Sequence, residues 1–221
     1  MTVTIRTSMS ELEGMAQKAL EAAGVASGLD RDGAFAAAWC EAHGLGGLAI
    51  LVRDLDALSG VPTHSGKRIN AGGLSALVVG PLAIDLAMAM TMDLELRVEN
   101  IRSPSAALAY AVRRARNDRW FRLVWGDSEA LAAEAQTMIS LANPDVATEL
   151  TISCGKGVPP IISDVTINSV ELERRRMRAL KEGLFLVRET REMLLEAAKR
   201  VLVPASESSR SGAGAEVDDN E

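Results

Sequence analysis

Three places in this 221-residue chain hold residues whose types and spacing suit chemistry. The first is the C-terminal run Pro204 to Glu221, where Ser206, Ser209, Arg210, Gly212 and Gly214 stand close together ahead of Asp218, Asp219 and Asn220. Hydroxyls, a guanidinium and backbone N–H groups freed by glycine can converge on a phosphate or carboxylate, and the acidic end can meet a metal or an ammonium. On composition alone the same run reads as a disordered polar terminus. The second is Ser59 to Gly73, whose Gly, Pro, Ser, Asn and basic residues mark a loop too long for a simple turn. It carries His64, Lys67, Arg68 and Asn70. Lys67 and Arg68 are candidate anion ligands there, set against the plainer reading of a solvated loop. The third is Cys154 in Ser153-Cys154-Gly155-Lys156-Gly157, where Lys156 and backbone N–H groups would favour a thiolate. Burial as a small hydrophobe is the simpler reading for Cys154, and also for Cys40, which follows Trp39 on an apolar segment.

Much chemistry is excluded. There are two histidines and two cysteines, and neither type stands at metal-ligand spacing, so a dedicated transition-metal site and a disulfide framework are not expected. His43 ends an apolar helix, a place that suits a partner for the helix dipole better than a base. The chain has no Gly-x-Ser-x-Gly elbow and no P-loop, and its glycine pairs lack the strand-turn-helix setting of a dinucleotide loop. A net charge of -6 disfavours nucleic acid as a partner. Arginines do cluster at Arg113, Arg114, Arg116, Arg119 and Arg122, and again at Arg174, Arg175, Arg176 and Arg178. Acidic residues stand near both runs, which read as solvated helix faces before anion sites. The N-terminus lacks a signal-peptide pattern, and Leu82 to Met92 is broken by Asp85 and too short to span a bilayer. The expectation is a cytoplasmic protein with no membrane contact.

These residues must be positioned by a core that is 48% apolar overall but only 3% aromatic, hence one of Leu, Ala, Val, Ile and Met. Ser10 and Glu13 read as a capping box opening a helix whose Leu12, Met15, Ala16, Ala19, Leu20 and Ala23 share a face. Further helices are expected from Asp30 to His43, over Leu48 to Leu58, after Gly80-Pro81 to Met90, from Ser103-Pro104 to about Arg116, from Asp127 to Leu141, and over Glu189 to Val201. Glu171 to Lys181 reads as helix or as a charged connector. Strands are expected at Leu94 to Glu99, Trp120 to Trp125 and Leu184 to Val187, with a hairpin of Thr148 to Ser153 and Pro160 to Ile167. Helices and strands interleave without strict alternation, which predicts an α+β fold: an N-terminal helical layer packed with a mixed or antiparallel sheet. One domain over 1–203 would be followed by the polar segment 204–221.

The order of residues resembles an uncharacterised bacterial family, domain of unknown function 3726. Its members close with Pro-Ala-Ser-Glu-x-Ser-Arg followed by Gly-Ala-Gly-Ala-Gly and Asp-Asn-Asp. Pro204 to Glu207, Ser209, Arg210, Gly212, Gly214, Asp219 and Asn220 match that pattern, while Glu216 and Glu221 depart from it. The first helix, Gly44-Leu45-Gly46-Gly47, Gly80-Pro81 and Val98-Glu99-Asn100 match as well. This resemblance implies that the C-terminal run has a function, with Glu216 weakening any anion site. More weakly, Glu11 to Leu58 is similar to the opening of the malate and L-lactate dehydrogenase family, which also begins with an Ala-rich helix ending in Ala-Ala-Gly. That family carries Asp-Ser-His-Gly after its second helix. Here Gly44-Leu45-Gly46-Gly47-Leu48 stands instead, without histidine, so neither a nicotinamide cofactor nor a catalytic residue carries over. Two readings follow. One is a small-molecule metabolic enzyme whose polar site joins Ser206, Ser209, Arg210, Gly212 and Gly214 to Lys67 and Arg68. The other is a non-catalytic subunit, or homo-oligomer, that uses Ala- and Met-rich helices to bind protein. The residues name no cofactor and no reaction.

Overall fold

The computed structural model describes residues 3–90, 95–134, 136–142 and 147–200. Strand β1 (Thr4–Thr7) precedes three helices, α1 (Met9–Ala22), α2 (Leu29–Ala42) and α3 (Gly47–Arg53). Then come β2 (Thr63–Ser65), β3 (Arg68–Asn70), α4 (Ala76–Ala89), β4 (Glu95–Glu99), α5 (Ala107–Arg114), β5 (Arg119–Trp125), β6 (Ser128–Ala133) and β7 (Gln136–Ser140). The described chain ends with β8 (Glu149–Lys156), α6 (Ser169–Glu182), β9 (Leu184–Val187) and α7 (Arg188–Ala198).

The seven-stranded sheet runs β2-β3-β4-β8-β5-β6-β7. Only β3 and β4 pair in parallel, so the sheet is mixed and the fold is α+β, as expected. A separate antiparallel ribbon joins β1 to β9. Helices α4 and α5 lie on the sheet, α2 packs across both, α1 and α3 pack on α2, and α7 packs on α1 and α3. The buried Ala34, Ala36, Ala37 and Ala38 of α2 keep that central helix slim enough for several neighbours to approach. Phe121 and Trp125 supply the large rings, both fully buried on the helix-facing side of β5.

Two glycines set close approaches. A side chain at Gly47 would place its Cβ 1.8 Å from the Ala37 carbonyl oxygen, so glycine is what lets α3 start against α2. In α4, Pro81 has no N–H and cannot satisfy the carbonyl of Leu77, one turn earlier. The Tyr110 hydroxyl donates to that carbonyl instead, at 2.6 Å. Its ring reaches there because Gly80 has no Cβ, which would stand 2.6 Å from the ring.

Several expectations need correction. The first helix is capped by Ser8, whose Oγ accepts from the Glu11 N–H at 3.1 Å, rather than by Ser10. The third helix stops at Arg53, with a short 3-10 turn over Leu55–Ala57 after it, because Asp54 is drawn into a buried hydrogen-bond cluster. The basic loop is mostly the β2–β3 hairpin. Ser103-Pro104 opens a 3-10 turn before α5, and Ser103 makes no capping bond. The helix expected after Asp127 is the β6–β7 hairpin: Gly126 at φ 51° turns the chain, and Ala130 and Ala132 face the helices as small strand residues. Pro160 to Ile167 is not a strand partner of β8, although Ile167 bridges to Ile139. Glu171 to Lys181 lies within a helix.

Candidate functional site

Where the parallel strands β3 and β4 end, three segments are laced together by backbone hydrogen bonds. The Ser75 N–H donates to the Ala57 carbonyl, the Ala76 N–H to the Arg102 carbonyl and the Arg102 N–H to the Leu74 carbonyl, each at 2.8–2.9 Å. The lacing brings Asp54, Ser75 and Ser103 together, side chains far apart in sequence and all buried. Ser103 Oγ donates to Asp54 Oδ2 at 2.6 Å and Ser75 Oγ donates to the same oxygen at 2.7 Å. Arg53 completes a chain, its Nη2 donating to Ser103 Oγ at 2.6 Å and its Nε to Asp54 Oδ1 at 3.4 Å.

The backbone at Ser103 is unusual. It holds φ 51° and ψ 53°, the left-handed region, directly before Pro104. Left-handed geometry in a non-glycine residue costs about 1–3 kcal/mol and concentrates at working sites. Here it swings the hydroxyl onto Asp54. Asn100, at φ 54°, makes a neighbouring turn and donates from its side chain to Asn70 Oδ1 at 3.1 Å.

A cleft of about 230 Å³ opens over this cluster, walled by Arg53, Asp54, Ile101, Arg102, Ser103 and the segment around Ala147 and Thr148. Arg102 reaches Asp56 Oδ1 at 2.8 Å and is about half exposed. The cleft therefore offers two guanidiniums at its mouth and a hydroxyl bridged to a buried carboxylate at its floor. Such a set can hold a small anion and keep or pass a proton at Ser103 Oγ.

Of the residues singled out from sequence, Lys67 and Arg68 are exposed at the turn end of the β2–β3 hairpin and do not wall this cleft. Arg68 lies 3.6 Å from Glu99. His64 is exposed beside them, its Nε2 2.8 Å from the Gly66 carbonyl oxygen. Ser206, Ser209, Arg210, Gly212 and Gly214 lie outside the described residues. Cys154 is buried in β8, with Arg119 Nη1 at 3.4 Å from its sulfur, in a stretch of the strand paired with β5 through Lys156. Burial pushes the Cys40 thiol up to about 12. His43 caps α2, stacked on Trp39 with ring centroids 4.1 Å apart. Among the described residues no group of His, Cys, Asp and Glu is arranged to hold a metal ion, and no helix is long and apolar enough to cross a membrane. Sequence reasoning missed Arg53, Asp54, Ser75 and Ser103, which fall inside or at the ends of helices. The signal that could have pointed there is the break of the apolar run Leu48 to Val52 by Arg53 and Asp54.

Comparison with known proteins bears on both the family and the fold. The model of a family described as "Protein of unknown function (DUF3726)" matches residues 7–72, in line with the resemblance seen in the sequence. No curated protein matches the sequence significantly. Solved structures do match in fold. The malate dehydrogenase from Pyrococcus horikoshii OT3 aligns with a TM-score of 0.63 at 13% identity, over 92% of this chain and 99% of that one. A dehydrogenase from Sinorhizobium meliloti gives 0.65 at 14% identity, over 88% and 99%. The sulfolactate dehydrogenase from Methanocaldococcus jannaschii gives 0.64 at 10% identity, over 90% and 98%. At such identities the likeness is one of fold.

Proposed function

We propose that this protein is a small-molecule metabolic enzyme acting on a small organic acid, with Arg53 and Arg102 holding the acid's carboxylate beside the Ser103–Asp54 pair. The observation that carries the reading is the hydrogen-bond chain from Arg53 through Ser103 to buried Asp54, with Ser103 in left-handed backbone at the floor of a cleft. A carboxylate in that cleft meets charge-assisted donors from the guanidiniums. Ser103 Oγ, already donating to Asp54, is the group placed to exchange a proton with a hydroxyl or carbonyl of the ligand. The malate and sulfolactate dehydrogenases that share the fold act, by name, on small acids, which supports this ligand class. This cleft does not fit the dinucleotide that such enzymes imply: at about 230 Å³ it is smaller than the ~300–1,000 Å³ of drug-sized ligand sites. No hydride step is assigned to this chain. The expected contribution of Ser206, Ser209, Arg210, Gly212 and Gly214 to ligand binding belongs to the same proposal, and truncation after Val203 tests it.

Thermal unfolding of the full chain with malate, lactate and their 2-oxo counterparts tests the proposal. At least one acid is expected to raise Tm with concentration, as a ligand of the native state must. Arg53→Gln is expected to abolish that rise. Finding no shift with any acid, or an equal shift in Arg53→Gln, would remove the reading.

A non-catalytic subunit remains the second reading because Met177, Leu180, Phe185 and Met193 are 51–56% exposed on α6, β9 and α7. Light scattering of the purified chain decides its homo-oligomeric form, since a strict monomer contradicts it.

A further inference from the structure

At the end of α5 remote from Ser103, a second cleft of about 390 Å³ is lined by Arg113, Arg114, Arg116, Arg119 and Lys156, with Asn117 and Met88. Two of these cations are neutralised, Arg113 by Asp32 at 2.9 Å and Arg114 by Asp85 at 3.0 Å. Among the described residues no carboxylate stands within ion-pairing distance of Arg116, Arg119 or Lys156. The turn itself holds Asp118, whose N–H donates to Glu134 Oε2 at 3.4 Å, and neither acidic side chain lines the cleft.

The sheet makes the excess charge hard to explain as packing. Arg119 and Lys156 are directly opposite each other on β5 and β8, on the face they share with Phe121 and Cys154. Like charges so placed destabilise a strand pair. The partner that Arg119 does have, Cys154 Sγ at 3.4 Å, is a weak acceptor. Cations in the last turn of α5 complement the helix dipole, which accounts for Arg113 and Arg114 but not for two strand residues. The chain as a whole carries -6, so this concentration of positive charge runs against its composition.

We infer that this cleft binds a multiply charged phosphate group of a small molecule. Guanidinium forks match phosphate oxygens bidentately, and Lys156 adds a point charge from the opposite strand. Among the described residues Met88 is the one apolar side chain in the lining and no ring lines it, so recognition falls on the phosphate and not on an attached base. A lone carboxylate would leave two positive charges unmatched. The inference stands apart from the Arg53 cleft and does not depend on it.

Isothermal titration of the full chain with inorganic pyrophosphate at low ionic strength tests it. Saturable binding of one pyrophosphate per chain is expected, weakening steeply with added salt. Arg116→Gln combined with Lys156→Gln is expected to weaken it at least ten-fold, with an unchanged circular dichroism spectrum. Arg174→Gln, on the exposed face of α6, is expected to leave it unaltered. If the double variant fails to fold, amide shifts of Arg116, Asn117 and Lys156 on adding pyrophosphate to the native chain report the site directly. The inference is overturned if pyrophosphate does not bind, if the double variant binds as tightly, if Arg174→Gln is weakened equally, or if those amides do not shift.

Discussion

Ser103, Asp54 and His43 each hold a polar group where the fold gives it one defined set of partners. Asp54 accepts from two serine hydroxyls and from Arg53 while almost fully buried. Its removal leaves two buried serine hydroxyls without their acceptor, so Asp54→Ala is expected to destabilise the protein in urea unfolding by about 1–3 kcal/mol for each of them. A loss below about 1 kcal/mol would mean that the cluster contributes little to folding. His43 shows the pH side of the same physics. Burial pulls its pKa below the ordinary 6.5, assisted by the charges of Arg176 and Arg175, while the Trp39 carbonyl and Glu173 oppose the shift. A base whose folded pKa is depressed prefers to be neutral in the native state. Its contribution to stability is therefore present above pH 6.5 and declines as pH falls through 6.5 toward the folded value. Proton NMR of the His43 ring is expected to give a midpoint below 6.5, and a midpoint above it would contradict the burial. Little of this was readable in advance. Histidine at a helix end was legible from spacing, whereas Ser103 looked like an ordinary cap and Ser75 carried no signal, because their shared partner lies 49 and 21 residues away.

Helices α1, α2 and α7 follow their apolar spacing, which is a local property, and their positions were legible to within a few residues. Strands β6 and β7 did not. Their Ala-rich segment prefers helix by propensity, and a tertiary need for small side chains beneath α5 overrides that preference. The α4–α5 pair carries a sharper lesson. Proline at 81 opens a gap in the hydrogen bonds of α4, and Tyr110 from α5 fills it across Gly80. Tyr110→Phe keeps the ring but leaves a buried carbonyl without a donor, at a cost of about 1–3 kcal/mol. Gly80→Ala drives a methyl into the Tyr110 ring and is expected to cost at least as much. Combining the two in a double-mutant cycle is expected to show strong coupling, while additivity would deny that they form one device.

Across the whole molecule, the sheet and the helices enclose one buried cluster that includes Cys40 and Cys154. Cys40 is fully buried with its thiol pushed up to about 12, and Cys154 is 7% exposed. Labelling by a thiol reagent is thus expected to follow global unfolding for both, and fast native-state labelling of Cys154 would show that β8 opens on its own. The α+β class, the apolar faces of the helices and the exclusion of familiar catalytic motifs were determined by the sequence itself. They rest on composition and on periods of two and 3.6 residues, which act locally. Strand order, the Arg53–Ser103–Asp54 chain and the basic cleft were decided only by tertiary structure. Each joins residues separated by tens of positions, and which polar side chains meet depends on how strands pair and where α4 and α5 cross the sheet.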